Sequence, residues 1–204
     1  MARGKDAMRR GHRRTIPADR AAARGPAMLA LALLLAGCAD VQGLARPDLA
    51  TVAARMPAEM AGFLRGESER RPGPSLAMDY ATANRRAVGS ILVYETPAGA
   101  APDDPAAAEI DREVTHAVIE VAEAPHGRTG RRLTERERLT LSEAGLRCAV
   151  LRGAFGRAPV MRHLCVGGAQ GRFVKIQVTM GDTEPPPADA VAFATAALRA
   201  VRGG

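Results

Sequence analysis

The chain has 204 residues, a formal charge of +7, no Trp, two Tyr and four Phe. That length suits one ordinary domain; the charge sits at one end, since residues 1–37 hold eight Lys/Arg against two Asp, or +6, leaving +1 for the rest. A near-neutral body with so few aromatic rings excludes an electrostatic nucleic-acid binder and a base-stacking surface.

At the N-terminus a basic segment leads into an apolar run of ten residues, Ala27–Ala36, followed by Gly37 and Cys38. As a helix the run spans about 15 Å, half of a bilayer's hydrocarbon core, so it is too short to cross. Basic, apolar and then small residues form the layout of a secretory signal peptide. Leu35-Ala36-Gly37-Cys38 resembles a bacterial lipobox. The resemblance implies that Cys38 takes a diacylglycerol on sulfur, that residues 1–37 are cut away, and that the new amino terminus is acylated. Two or three acyl chains anchor durably where one does not. It further implies a cell-envelope location, lipid-anchored and facing the periplasm, with the membrane as partner through Cys38. Asp40 resembles the residue that retains enterobacterial lipoproteins at the inner membrane and favours that side. An ordinary signal peptide with a chance Cys and a buried core helix are the alternatives, and Met8 competes with Met1 as the start.

Residues 38–56 read as the lipidated cysteine and a tether, with a helical turn after Pro47, and 57–204 as a single α+β domain. "GFLRGESER" (62–70) and "SLAMDYAT" (75–82) flank the turn Arg71-Pro72-Gly73-Pro74. "AVGSILVYET" (87–96) is apolar on both faces, as a central strand would be. Asp104 is placed to cap a helix with Pro105 in its first turn, and Ile110, Val114, Ala117, Val118 and Val121 recur at helical spacing. Strands follow at 132–142, whose charges suit an edge, and at 146–156, 159–168 and 172–181. Gly167 to Gly171 read as the turn before the last strand, and a helix closes the chain, with Arg199 and Arg202 near its end and Gly203 as its stop. The expected order is β-β-β-α-β-β-β-β-α: an antiparallel sheet of about six or seven strands covered by two long helices. This order, with "FVKIQVTM" running into a last helix, is similar to the PsbP-like α/β/α sandwich over about residues 57–201. That resemblance implies a binding or assembly module and brings no catalytic residues with it.

With Cys38 committed to lipid, Cys148 and Cys165 remain. A turn at 155–158 sets 154 opposite 159 and therefore 148 opposite 165, on one face of the sheet, within reach of a disulfide. Export makes oxidation plausible, and an 18-residue loop closed this way is worth about 3 kcal/mol in the chain-entropy model. Two buried thiols packing as small hydrophobes are the alternative, and a metal site of Cys148, His163 and Cys165 is a third reading without a supporting spacing motif.

No catalytic constellation is recognisable. Ser90 in "VGSIL" lacks the second glycine of a nucleophile elbow. His116 forms a stripe with Glu109, Glu113, Glu120 and Glu123, opposite the apolar face of its helix, where solvent is expected. The basic stretch 126–138 interleaves with Glu135 and Glu137 and reads as an exposed loop and edge strand. No cofactor or metal is expected. The preferred function is a bacterial envelope lipoprotein whose α+β domain acts as a binding or assembly module for an envelope protein partner. The rival is a small periplasmic hydrolase whose site is built on unfamiliar spacing, betrayed by a cleft at His116 or His163.

Overall fold

The computed structural model describes residues 46–71, 73–123 and 132–204. The leader, Cys38 and residues 126–131 lie outside the described residues. The elements are α1 (Leu49–Arg55), β1 (Glu59–Met60), β2 (Phe63–Arg71), β3 (Ser75–Thr82), β4 (Ala87–Tyr94), α2 (Ala108–Glu123), β5 (Arg132–Leu141), β6 (Leu146–Phe155), β7 (Ala158–Ala169), β8 (Arg172–Gly181) and α3 (Ala190–Arg202). The fold is α+β: eight strands form one sheet in the order β1-β2-β3-β4-β8-β7-β6-β5. Every pairing is antiparallel.

The expected element order is present, preceded by α1 and the two-residue β1, which makes eight strands and three helices among the described residues. Both additions precede β2, and α1 falls in the stretch read as tether. Asp48 caps α1 by accepting from Thr51 N at 2.6 Å, and Val52 and Met56, four residues apart, are buried in the core at 1% and 3% exposure. One buried residue on a seven-residue helix and another at its C-cap make too short a pattern to stand out in sequence. Among the described residues the packed body therefore extends ahead of Pro57 to include α1.

Two meanders, β1 to β4 and β5 to β8, meet where β4 pairs β8. The chain leaves β4 in mid-sheet and must reach the far edge to start β5, and α2 makes that crossing over one face. It packs on β5, β6 and β7, and Ile110, Val114 and Ala117 bury against Ala149, Leu151 and Leu164. On the other face α3 and α1 cover a core that includes Phe63, Met78, Ile91, Ile176, Phe193 and Leu198. Asp189 caps α3, and Gly203 ends it at φ 89°. The helix over 108–123 starts later than expected. Asp104 instead accepts from Ala106 N at 2.9 Å and caps a turn.

Gly167 and Gly168 are strand residues rather than turn residues. The turn is only Gln170-Gly171, both at positive φ (53° and 75°), as a tight hairpin demands. The two glycines serve close approach. A Cβ on Gly168 would stand 2.0 Å from the Pro102 carbonyl oxygen, and one on Gly167 would stand 2.8 Å from both Gly145 O and Leu198 Cδ2. Gly168→Ala is expected to destabilise by about 1–3 kcal/mol, because backbone must move on the α2 side. Urea melts of the variant check this, and an unchanged midpoint would show that the 101–104 segment yields freely.

Candidate functional site

A single helix cannot cover this sheet. Eight strands about 4.8 Å apart span about 34 Å, whereas a helix is about 10 Å across. On the α2 side the β5–β7 half is therefore roofed, and the half made by β3, β4 and β8 is left open among the described residues. β4 carries apolar residues on both faces but is covered on only one. Ile91 and Val93 are fully buried, whereas Val88 is 49% exposed.

The floor of the open half is laid out by register. Asp79, Ser90 and Gln177 stand opposite one another across β3, β4 and β8. On one side of that row lie Ala81, Val88, Thr179 and Arg162, and on the other Ala77, Leu92 and Lys175. Alternation on strands puts all of them on the α2 face. They line a trough in two lobes of about 640 and 250 Å³, joined at Asp79, Ser90 and Gln177. Arg162, only 8% exposed, donates from Nε to Thr179 Oγ1 at 2.8 Å. Leu64, 46% exposed, and Arg85 form the rim of the larger lobe.

The edge of α2 walls this trough, and the solvated stripe holds at Glu109, His116, Glu120 and Glu123, all exposed, but is corrected at Glu113. Glu113 and Glu120 reach partners on β4 and β8. The Tyr94 hydroxyl donates to Glu113 Oε1, and the Glu113 side chain is only 15% exposed. Burial first, then the bond to Glu113 and the charges of Glu113 and Glu120, hold the Tyr94 hydroxyl well above its ordinary value. Tyr94 therefore stays protonated and acts as a fixed donor that positions Glu113. Lys175 Nζ meets Glu120 Oε2 at 2.7 Å and sits 5.7 Å from the Tyr94 ring centre. His116 is 69% exposed, its Nδ1 4.0 Å from Glu113 Oε2, beyond hydrogen-bond range.

Beside this wall a second cavity, about 390 Å³, opens between α2 and the 96–100 loop, with Glu109, Glu113, His116 and Phe173 in its lining. Thr96, also in that lining, keeps a buried hydroxyl oxygen without a hydrogen-bond partner among the described residues. The arrangement can offer a positioned carboxylate and an accessible imidazole. Ser90 is in the trough and not in this cavity, so the two groups that sequence reasoning weighed as nucleophile and base are not brought together.

Cys148 and Cys165 are opposed on β6 and β7 with Cα atoms 4.0 Å apart and their sulfurs joined, on the α3 side of the sheet. His163 shares their face but lines a separate cavity with Arg152, Asp182 and Thr183. Among the described residues no group of three or more His, Cys, Asp or Glu is placed to hold a metal. Burial pushes the His163 imidazole below its ordinary 6.5, Arg152 adds to this, and Asp189 and Glu137 oppose it. The unfolded chain then binds a proton on this ring at a higher pH than the folded one. Stability is expected to fall as pH drops through about 6.5 and to level off below the folded value. His163→Gln should remove that contribution, as read by urea melts at about pH 7.5 and about pH 5. A wild type that gains on the variant in acid would refute the sign.

Sequence reasoning missed Asp79, Gln177 and Arg162 as site residues. The available signal was arithmetic: an eight-stranded sheet with two long helices has more face than they can cover. No protein-family model matches this chain, and no curated protein does.

Proposed function

We propose that the chain is a bacterial envelope lipoprotein whose α+β domain binds an envelope partner through the open half of its sheet. Residues 1–37 act as the cleaved leader, Cys38 carries the lipid, and the domain faces the periplasm, with Asp40 favouring the inner membrane. The layout of the leader supports the anchor. The observation that carries the module reading is the trough over β3, β4 and β8, where a polar row is flanked by exposed Val88 and Leu64. Apolar surface left open beside ordered polar groups is the composition of a binding surface. The Cys148–Cys165 pair is oxidised in this reading, as befits an exported protein.

The test has two parts. Intact-mass and labelled-fatty-acid analysis of the native protein should show a chain that begins at acylated Cys38, and Cys38→Ser should release it from membranes. A photo-crosslinking residue at Val88 should capture a defined envelope component, and the same probe at Val191, exposed on the α3 side, should not. Ser90→Arg, which fills the trough, should abolish the adduct. Equal capture at both sites would reject the trough as the binding surface.

The hydrolase reading keeps one specific observation, the cavity shared by Glu113 and His116. His116→Ala would decide it. The ring is exposed, so folding should be unchanged, and loss of the cellular phenotype with crosslinking at Val88 intact would favour the enzyme.

A further inference from the structure

We infer that the cavity between α2 and the 96–100 loop binds a small organic ammonium compound, with the Glu113 carboxylate as its counter-ion. Neither the lipid anchor nor the trough enters into this. The central observation is a carboxylate that is largely buried and short of partners. Glu113, its side chain 15% exposed, takes one bond on Oε1 from the Tyr94 hydroxyl. Its Oε2 accepts no hydrogen bond among the described residues, and the His116 Nδ1 stands 4.0 Å away. Two cations of the same surface are committed to other acids: Lys175 Nζ meets Glu120 at 2.7 Å, and Arg112 Nη2 meets Glu109 at 3.2 Å. A desolvated carboxylate is costly unless donors and a positive charge meet it. Tyr94 fixes the position of Glu113 but adds only a neutral donor, so the matching charge is not supplied by the described residues.

The walls around that carboxylate are held in place. The 96–100 loop is closed by Gly99 N donating to Thr96 O at 3.2 Å, and it is pinned to the β7–β8 turn by Ala101 N donating to Gly171 O at 3.0 Å. On the sheet side the lining is Phe173, 4% exposed, which opposes Tyr94 across β8 and β4 with ring centres 5.9 Å apart. Pro97, Ala98 and Ala100 keep the loop wall apolar. Ligand pockets combine mostly apolar walls with a few placed polar groups, and about 390 Å³ suits a small molecule. An aromatic ring beside a carboxylate favours a cation over a neutral group. Thr96 adds a buried hydroxyl oxygen without a partner among the described residues, an acceptor suited to an ammonium N–H. With Glu109, Glu113 and Arg112 in the lining and His116 neutral, the cavity carries one net negative charge. A hard metal ion fits poorly, because it takes about six oxygen ligands. Among the described residues no three His, Cys, Asp or Glu are placed to supply them.

Three probes share one branched body and differ in charge: 3-methylbutylamine, leucine and 3-methylbutanol. Each is titrated calorimetrically into the full chain at neutral pH. The amine or the amino acid is expected to bind at least about tenfold more tightly than the alcohol, the worth of one hydrogen bond to a charged group. Tighter binding of leucine assigns the site to amino acids, whose carboxylate meets Arg112; tighter binding of the amine assigns it to simple amines. Glu113→Gln keeps an acceptor for the Tyr94 hydroxyl and should erase the preference for the charged probes. Ala98→Arg sets a cation in the exposed loop wall and should weaken the amine by a similar factor. Val191→Arg, exposed on the α3 side, should not. The Ala98→Arg comparison carries the test if the Gln variant misfolds. An alcohol that binds as tightly as both charged probes, or no binding of any probe in the millimolar range, overturns the inference. So does a preference for charge that survives Glu113→Gln in a protein of unchanged melting.

Discussion

Phe193→Ala is expected to lower stability by about 4 kcal/mol. Six aromatic residues serve the whole chain, and three of them meet here. Phe193 on α3 is fully buried, with its ring centre 4.4 Å from that of Phe63 and 5.5 Å from that of Tyr80. It ties α3 to β2 and β3, the half of the sheet whose other face is open among the described residues, so no helix on that face compensates its loss. Gly89 makes room for the ring, since a Cβ there would stand 2.8 Å from Phe193 Cε1. Gly89→Ala alone should cost about 1–3 kcal/mol, and less in a Phe193→Leu background, because the two sites share one volume. Urea melts of the four proteins give the coupling. A Phe193→Ala loss below about 1 kcal/mol would mean that α3 is held mainly elsewhere.

The double variant Cys148→Ala/Cys165→Ala should lose about 3 kcal/mol, the entropy returned to an unfolded chain freed of an 18-residue loop. For a domain of this size that is a fall in Tm on the order of 10 °C. Both positions are 1% exposed, so small apolar replacements leave no unpaired polar group. Dithiothreitol should lower the wild-type Tm by a similar amount once the domain opens, and it should not affect the double variant. Two free thiols in the native protein, with melting indifferent to reductant, would reject the crosslink and leave the cysteines as packing residues.

The cysteine pairing shows how far local counting reaches. A turn at 155–158 sets the register, and an antiparallel ladder then propagates it: Phe155 opposes Ala158, Ala154 opposes Pro159, and Cys148 opposes Cys165. The ladder is rigid and its period is two, so nothing tertiary is needed to place those sulfurs. The α2 stripe shows where counting stops. Helical spacing correctly puts Ile110, Val114, Ala117 and Val121 in the core. It cannot say that Glu113 and Glu120, on the flank, meet Tyr94 and Lys175, because those partners come from β4 and β8. Gly167 and Gly168 carry the same lesson. A glycine demanded by the approach of Pro102 and one demanded by a turn are spelled alike.

By itself, then, the order of residues determined the strands and the two long helices, the antiparallel class, the 148–165 pairing, and the address-like layout of the first 38 residues. All of these are set by short-range periodicity, turn chemistry and chain length. Only the tertiary structure decided that α1 joins the core, that α2 roofs one half of its face, and that Asp79, Ser90 and Gln177 share an open floor. Those outcomes depend on how a helix about 10 Å wide is laid across a sheet about 34 Å wide, a competition for surface that no local pattern encodes.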